Sequence, residues 1–170
     1  FARSLDIHRT LTAIRSHGHD AVYGSVDVTD AEAVADFVDG LVTGNKVVKA
    51  IIHGAGIEES RLLHEKSLST FDNVVRIKLD GLASLISAAP STTRIVCFSS
   101  VAGRMFNAGQ TDYSAANRAL DQAMENLSSR GGLSLAWTGW RGAGMATRGS
   151  IERVFDEAGL EMLELDAGVE

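Results

Sequence analysis

The chain has 170 residues, 45% hydrophobic and 22% charged, which is the balance of an ordinary globular domain with a core. A formal net charge of −6 argues against nucleic acid as the main partner. No signal peptide is recognisable, and no apolar run approaches the roughly 18 residues of a membrane span. The single cysteine, Cys97, cannot form a disulfide within the chain. These features exclude membrane and disulfide-rich classes and predict a cytoplasmic protein.

Predicted helices and strands alternate along the chain. Helices are expected at 1–17, 31–43, 68–89, 112–129 and 147–158. Short, mostly apolar runs predict strands at 21–28, 47–53, 94–98 and 133–137. We expect Gly18 to end the first helix and Thr29-Asp30 to cap the second. The polar segment 58–66 is expected to be exposed, and the tail 160–170 gives no clear signal. Strands alternating with helices predict an α/β fold with a parallel sheet.

The segment Phe98–Asn117, FSSVAGRMFNAGQTDYSAAN, concentrates the polar groups that could carry chemistry. Ser100 follows an apolar strand, where open parallel sheets place their ligands. Tyr113 and Asn117 are four residues apart, so they share one face of the predicted helix. A hydroxyl, a phenol and an amide at one point suit proton transfer to a carbonyl oxygen. A polar loop before a surface helix is the alternative, and spacing alone does not exclude it.

This segment resembles the active-site segment of short-chain dehydrogenases/reductases, and one branch in particular. Most members have Tyr-x-x-x-Lys, whereas this helix reads Tyr113-Ser-Ala-Ala-Asn117. Ketoreductase domains of polyketide and fatty-acid synthases have Asn at that position and a lysine on the preceding long helix, which matches Lys78 in RIKLDGL. The segments DVTD (27–30), HGAG (53–56) and WTGWRGAGM (137–145) also resemble that branch, in the same order.

The resemblance implies a Rossmann-like sheet with helices on both faces and a role for each matching residue. Tyr113 would be the proton donor, with its pKa lowered by the Lys78 ammonium; Ser100 would hold the substrate carbonyl and Asn117 would orient the network. The cofactor would be NADPH, because no side chain can supply a hydride. The residues expected at the cofactor are Asp27, Val28, His53, Gly54, Ala55, Gly56, Lys78 and Tyr113. No cluster has metal-site spacing, so no metal is expected.

Two pieces of the resembling fold are missing from the 170 residues. No G-x-G-x-x-G phosphate loop occurs, and we expect the chain to begin after that βα unit and to stop before the last strand. In the resembling sheet order, the first strand lies between the strands at 21–28 and 47–53. We therefore interpret residues 1–170 as a partial ketoreductase domain, inactive alone, that needs a missing N-terminal segment. The N-terminal stretch narrows the resemblance to polyunsaturated fatty acid synthases and related iterative synthases.

The leading hypothesis is NADPH-dependent reduction of a β-ketoacyl thioester on an acyl carrier protein, to the β-hydroxyacyl product. Other domains of the same synthase would then be partners. One alternative is a non-catalytic structural half-domain, favoured by the missing phosphate loop. Another is a free-standing dehydrogenase, which the asparagine at position 117 argues against. Neither nucleic acid nor a membrane is expected as a partner.

Overall fold

A computed structural model describes residues 2–44, 46–105, 107–147, 155–156 and 159–168. The sheet has three parallel strands in the order β1-β2-β3, with bounds β1 (Ala50–His53), β2 (Arg94–Ser100) and β3 (Leu133–Trp137). Along β1 and β2, His53 lies opposite Cys97, and Ser100 on β2 lies opposite Trp137 on β3. The carboxyl ends of the three strands therefore meet at one edge of the sheet, where loops can combine into a site.

The helices agree closely with the sequence prediction. They are α1 (Ala2–Ser16), α2 (Ala31–Thr43), α3 (Leu68–Ala88) and α4 (Thr111–Asn126). Gly18, with a φ of 80°, follows the end of α1. The Asp30 carboxylate accepts the backbone N–H groups of Glu32 and Ala33 and so caps α2 as expected. The α/β class and the parallel sheet with flanking helices are thus confirmed.

The core lies between one face of the sheet and helices α3 and α4. Its fully buried members are Leu82, Ile95, Cys97, Leu120 and Met124. Cys97 is completely buried, as a small core residue should be. The opposite face of the sheet carries Ile52 and Phe98, which are both exposed. Burial on one face explains why β2 alternates between buried and less buried positions along its length.

Two predicted elements differ from the structure. The strand predicted at 21–28 is wrong: these residues form neither strand nor helix, because none of the described strands lies beside them to form a ladder. The strand predicted at 47–53 is limited to Ala50–His53, although Val48 and Lys49 still accept hydrogen bonds from Thr93 and Arg94. The helix predicted at 147–158 lies mostly outside the described residues.

Within the described ranges, no helix is long and apolar enough to cross a membrane.

Candidate active site

Ser100 is the last residue of β2, and the loop after it is held against α4. Its Oγ accepts the backbone N–H of Ala102 at 3.1 Å and caps the helical turn Val101–Gly103. A Cβ atom on Gly103 would lie 2.9 Å from the backbone nitrogen of Arg118 on α4. Only glycine lets the two backbones approach so closely. This contact fixes the Ser100 loop relative to the helix that carries Tyr113.

Tyr113 and Asn117 lie on successive turns of α4, as their spacing predicted. The Asn117 side chain is fully buried, and its Nδ2 donates to the backbone oxygen of Tyr113 at 2.7 Å. The backbone oxygen of Asn117 in turn accepts the Ser99 hydroxyl at 3.2 Å. Asn117 therefore connects the Tyr113 turn to the end of β2, one residue before Ser100. Its predicted role as an orienting residue stays a prediction, with this geometry in its favour.

Lys78 is not a solvated surface lysine. The residue is only 3% exposed, and its Nζ donates to the backbone oxygen of Phe98 at 3.1 Å. The same nitrogen lies 5.5 Å from the centre of the Tyr113 ring. Burial lowers the pKa of Lys78 from 10.5 to about 8, because the charged form loses hydration. The ammonium is therefore still the dominant form at neutral pH, close to the phenol.

The electrostatics of Tyr113 differ from the sequence expectation. Burial raises the pKa of its phenol above the ordinary 10, while interactions with the side chains of Ser100 and Asn117 act in the opposite direction. The Glu58 carboxylate adds a further upward contribution. The lowering of the Tyr113 pKa that the resemblance implied is therefore wrong for this structure, because loss of hydration outweighs the hydrogen bonds of Ser100 and Asn117. The phenol is consequently protonated at neutral pH, which is the form a proton donor needs.

Ser100, Tyr113 and Lys78 line one cavity of about 830 Å³ at the carboxyl ends of the strands. Gly54 and Gly56 form part of its wall, together with Glu58. A Cβ atom on Gly56 would lie 3.1 Å from Cε of Lys78, so the glycine leaves room for the buried lysine. The cavity brings together a protonated phenol, a hydroxyl and an ammonium, and its size is typical of ligand sites. This arrangement can donate a proton to a carbonyl oxygen and stabilise the phenolate that forms.

The family model described as "KR domain" matches residues 2–142. The chain belongs to the KR domain family. One polypeptide of the polyunsaturated fatty acid synthase from a Thraustochytrium species is 32% identical over 97% of the chain. An erythronolide synthase of Saccharopolyspora erythraea is 36% identical over 74% of the chain. The chain spans only 6% and 4% of the lengths of these two relatives.

A solved structure supports the same family assignment for this KR domain. It is the ketoreductase from the first module of phoslactomycin biosynthesis in Streptomyces sp. HK803, which is 30% identical with a TM-score of 0.88. The match covers 95% of the present chain and 38% of the ketoreductase chain. The resemblance inferred from the four sequence motifs is thereby confirmed at the level of family and fold.

Not every residue predicted at the cofactor lines the cavity of the KR domain. Asp27, Val28, His53 and Ala55 are not among its lining residues, whereas Gly54, Gly56, Lys78 and Tyr113 are. Asp27 is exposed, and its carboxylate accepts the backbone N–H and the hydroxyl of Thr29, both at 2.9 Å. These two hydrogen bonds lower the pKa of the Asp27 carboxyl. The structure thus gives Asp27 a local turn role, and cofactor contact by this group of residues stays a prediction.

His53 contacts α3 and not the cavity. Its Nε2 donates to the backbone oxygen of Lys78 at 2.9 Å, which fixes the proton on that nitrogen. Burial lowers the pKa of His53, so the ring is neutral. A Cβ atom on Gly81 would lie 3.2 Å from the ring carbon Cε1, so α3 approaches β1 closely at this point. His53 therefore helps to place the helical turn that carries Lys78.

Sequence reasoning missed several residues around the cavity, and it was wrong about part of segment 58–66. Glu58 lines the cavity, and the side chain of Lys66 is 1% exposed, since it forms an ion pair with the equally buried Asp112. Another buried carboxylate, Asp121, accepts hydrogen bonds from Ser134 on β3 and from Arg104. The only sequence feature that could have pointed to these residues was the position of Asp112 directly before Tyr113. No local pattern shows that two charges far apart in the chain will pair.

Within the described ranges, no group of three His, Cys, Asp or Glu side chains is placed to hold a metal ion.

Proposed function

We propose that this KR domain carries the catalytic residues for NADPH-dependent reduction of a β-ketoacyl thioester, held by an acyl carrier protein, to the β-hydroxyacyl product. The reaction would take place within a multidomain synthase, next to its other domains. The observation that supports this most directly is the convergence of Ser100, Tyr113 and a buried Lys78 in one cavity. The relatives described above, which are synthases and a ketoreductase, point the same way.

Each of the three side chains has a distinct task in this reaction. The Ser100 hydroxyl would donate a hydrogen bond to the β-carbonyl oxygen and hold it near the phenol. Tyr113 would give its proton to that oxygen while the carbonyl carbon receives the hydride, and the products are a β-hydroxyl group and a tyrosinate. Lys78, positively charged below a pH of about 8, would stabilise the tyrosinate from its buried position. A proton from solvent then restores the phenol.

The residues of the cavity fit the reactive half of a nicotinamide cofactor, which supplies the hydride when bound. Gly54 and Gly56 both line the cavity without a side chain, and Gly56 lies beside Lys78, so a ligand can lie close to the chain there. Lys78 would hold the adjoining ribose hydroxyls, while Tyr113 would lie beside them and act mainly as the proton donor. The phosphate groups need backbone N–H donors at a helix N-terminus, and no glycine-rich loop of that kind occurs in these 170 residues.

Another segment of the full-length protein is proposed to complete the cofactor site. Within the described residues β1 is an edge strand, and residues 21–28 run without a strand partner. A groove of about 940 Å³ is lined by α1, residues 21–23, Gly56 and Ile57. Val22 in this groove is 71% exposed, and Ile52 on β1 is 63% exposed. A further strand and its glycine-rich loop at this position would cover apolar surface and supply the missing phosphate contacts.

Tyr113→Phe in the full-length protein tests the catalytic assignment. The variant lacks only the phenolic hydroxyl, so reduction of a β-ketobutyryl thioester of N-acetylcysteamine should fall by at least about 100-fold. NADPH binding, measured by its fluorescence, should stay near the wild-type value and serves as the control for folding. Activity within tenfold of wild type would contradict the assignment.

A non-catalytic half-domain is the second candidate, and the missing phosphate loop favours it. Synthase ketoreductases would use such a unit only for packing, and the polar side chains of the cavity would then be incidental. The buried Lys78 argues against this hypothesis, because burying an ammonium without a functional reason is costly. If Tyr113→Phe, Lys78→Met and Ser100→Ala all leave reduction by the full-length protein unchanged, the half-domain hypothesis is the correct one.

A further inference from the structure

The first turn of α4 is attached to the loop before α3 by a buried ion pair that the proposed reaction does not use. Lys66 Nζ lies 2.6 Å from Oδ1 of Asp112, and both side chains are 1% exposed. The other ion pairs found among the described residues each have at least one partner that is 43% or more exposed. Burying two charges rarely adds stability compared with apolar residues of similar size. The pair therefore calls for an explanation other than general stabilisation.

The hydrogen bonds around the pair connect it to the residue that follows Asp112. Oδ1 of Asp112 also accepts the backbone N–H of Tyr113 at 2.8 Å. That N–H lies in the first turn of α4, where the helix itself offers no acceptor, and the preceding Gln110 makes no side-chain cap. Oδ2 of Asp112 is buried without a hydrogen-bond partner among the described residues. The buried carboxylate therefore has Lys66 as its charged partner and accepts the backbone N–H of Tyr113.

Lys66 extends this connection to the wall of the cavity. Its Nζ donates to the backbone oxygen of Glu59 at 2.8 Å, next to Glu58, which lines the cavity. Gln110 makes a parallel link, because its Nε2 donates to the Glu58 carboxylate at 3.1 Å. One ammonium therefore holds the segment that forms the wall and, through Asp112, the backbone of Tyr113. The distance between that wall and the phenol depends on these contacts.

We propose that Lys66 and Asp112 are positioning residues that hold the Tyr113 backbone at a fixed place against the Glu58-Glu59 wall of the cavity. The proposal rests on the proposed function, in which Tyr113 donates the proton. Asp112 carries the acceptor for the Tyr113 N–H. Lys66 compensates the charge of the buried carboxylate and shares the attachment of the wall segment with Gln110, so the two residues contribute differently. A variant without the acceptor should therefore react more slowly even when neither position carries a charge.

Two double variants of the full-length protein separate positioning from stability. Lys66→Met with Asp112→Leu removes both charges and the acceptor, so the domain should stay folded while kcat falls by about 10- to 100-fold, as misplacement of a reacting group does. Lys66→Met with Asp112→Asn removes the charges but keeps an oxygen acceptor, and kcat should recover most of this loss. KM for the β-ketobutyryl thioester and for NADPH should change little in both. The Lys66→Met single variant, with an unpaired buried carboxylate, should be destabilised as well as slow.

Glu125→Gln is the matched control, because it removes an exposed carboxylate from the same helix and should behave as wild type. If the Met/Leu variant is folded and has the wild-type kcat, or if the Met/Asn variant is as slow as the Met/Leu variant, the positioning proposal is overturned. Tyr113→Phe is measured in the same series. Full activity in that variant would overturn the proposed function and this inference together, whereas an inactive Tyr113→Phe beside a fully active Met/Leu variant overturns this inference alone.

Discussion

The two sides of the β2 strand contrast sharply. On one side, α4 packs Leu120 and Met124 into the core, and Asn117 and Gly103 tie the helix to the Ser100 loop. What we call the open side is the β1 edge of the sheet and the unpaired segment 21–28, which carry the apolar residues Val22, Val47 and Ile52, each more than 60% exposed. The groups proposed to move the proton are thus fixed by contacts within these 170 residues. The surface where the cofactor should extend has no comparable support.

This difference indicates that proton-transfer geometry and cofactor binding depend on separate parts of the fold. Large exposed apolar residues in one region usually mark a surface that another segment covers. The side packed against α4, which we call the closed side, should therefore respond to mutation in the same way in any chain that contains it. The open side should respond only where its covering segment is present.

The largest expected effect is on cofactor binding by the isolated 170-residue chain. Without backbone donors for the phosphates, its Kd for NADPH should be about 1 mM or weaker, whereas the full-length protein should bind far more tightly. Titration of NADPH followed by its fluorescence measures both values. Adding the rest of the fold as a separate polypeptide should restore binding. Micromolar affinity of the isolated chain would show that the open side is already complete.

Lys78→Met tests the closed side and its pH dependence. Loss of the ammonium should lower kcat of the full-length protein by about 100-fold. The pH optimum should shift upward, because wild-type activity falls as Lys78 loses its charge near pH 8 and the variant has no such group. Lys46→Met, at an exposed lysine, is the matched control. An unchanged profile in Lys78→Met would remove Lys78 from the mechanism.

The lowered pKa of Lys78 also predicts how the free energy of unfolding depends on pH. Between about 8 and 10.5, the folded protein has released the Lys78 proton while the unfolded chain still binds it. The free energy of unfolding should therefore rise with pH across this window, and the penalty for burying the charge is greatest below it. Urea unfolding of wild type and Lys78→Met at pH 7 and 9 measures this difference. Equal slopes in the two proteins would contradict the lowered pKa.

The smallest expected effect comes from one member of a pair of apolar truncations. Leu120→Ala, at a fully buried position, should cost about 2–5 kcal/mol of unfolding free energy in any chain. Ile52→Ala, on the open side, should cost under about 0.5 kcal/mol in the isolated chain. In the full-length protein the cost of Ile52→Ala should increase towards that of Leu120→Ala. An equally small cost there would mean that the open side faces solvent in the complete protein.

Much of the fold was predictable from local patterns. Helical periodicity and turn chemistry located α1 to α4 to within a few residues, and the apolar runs located β2 and β3. The spacing of Tyr113 and Asn117 predicted their shared helix face. The motif resemblance identified the family and selected Lys78 from the other lysines. These features are local, or depend on residue identity alone, and so can be read from the chain.

The features that the sequence did not predict depend on contacts between distant segments. Residues 21–28 have the composition of a strand, but a strand exists only where a partner offers hydrogen bonds, and none of the described strands does so. Burial raised the pKa of Tyr113 where the resemblance implied lowering, because loss of hydration outweighs the hydrogen bonds of Ser100 and Asn117. Lys66 and Asp112 are 46 residues apart in the chain, and only folding brings their charges together in a buried place. The sequence alone thus determined which groups could react, and packing decided their charge, exposure and support.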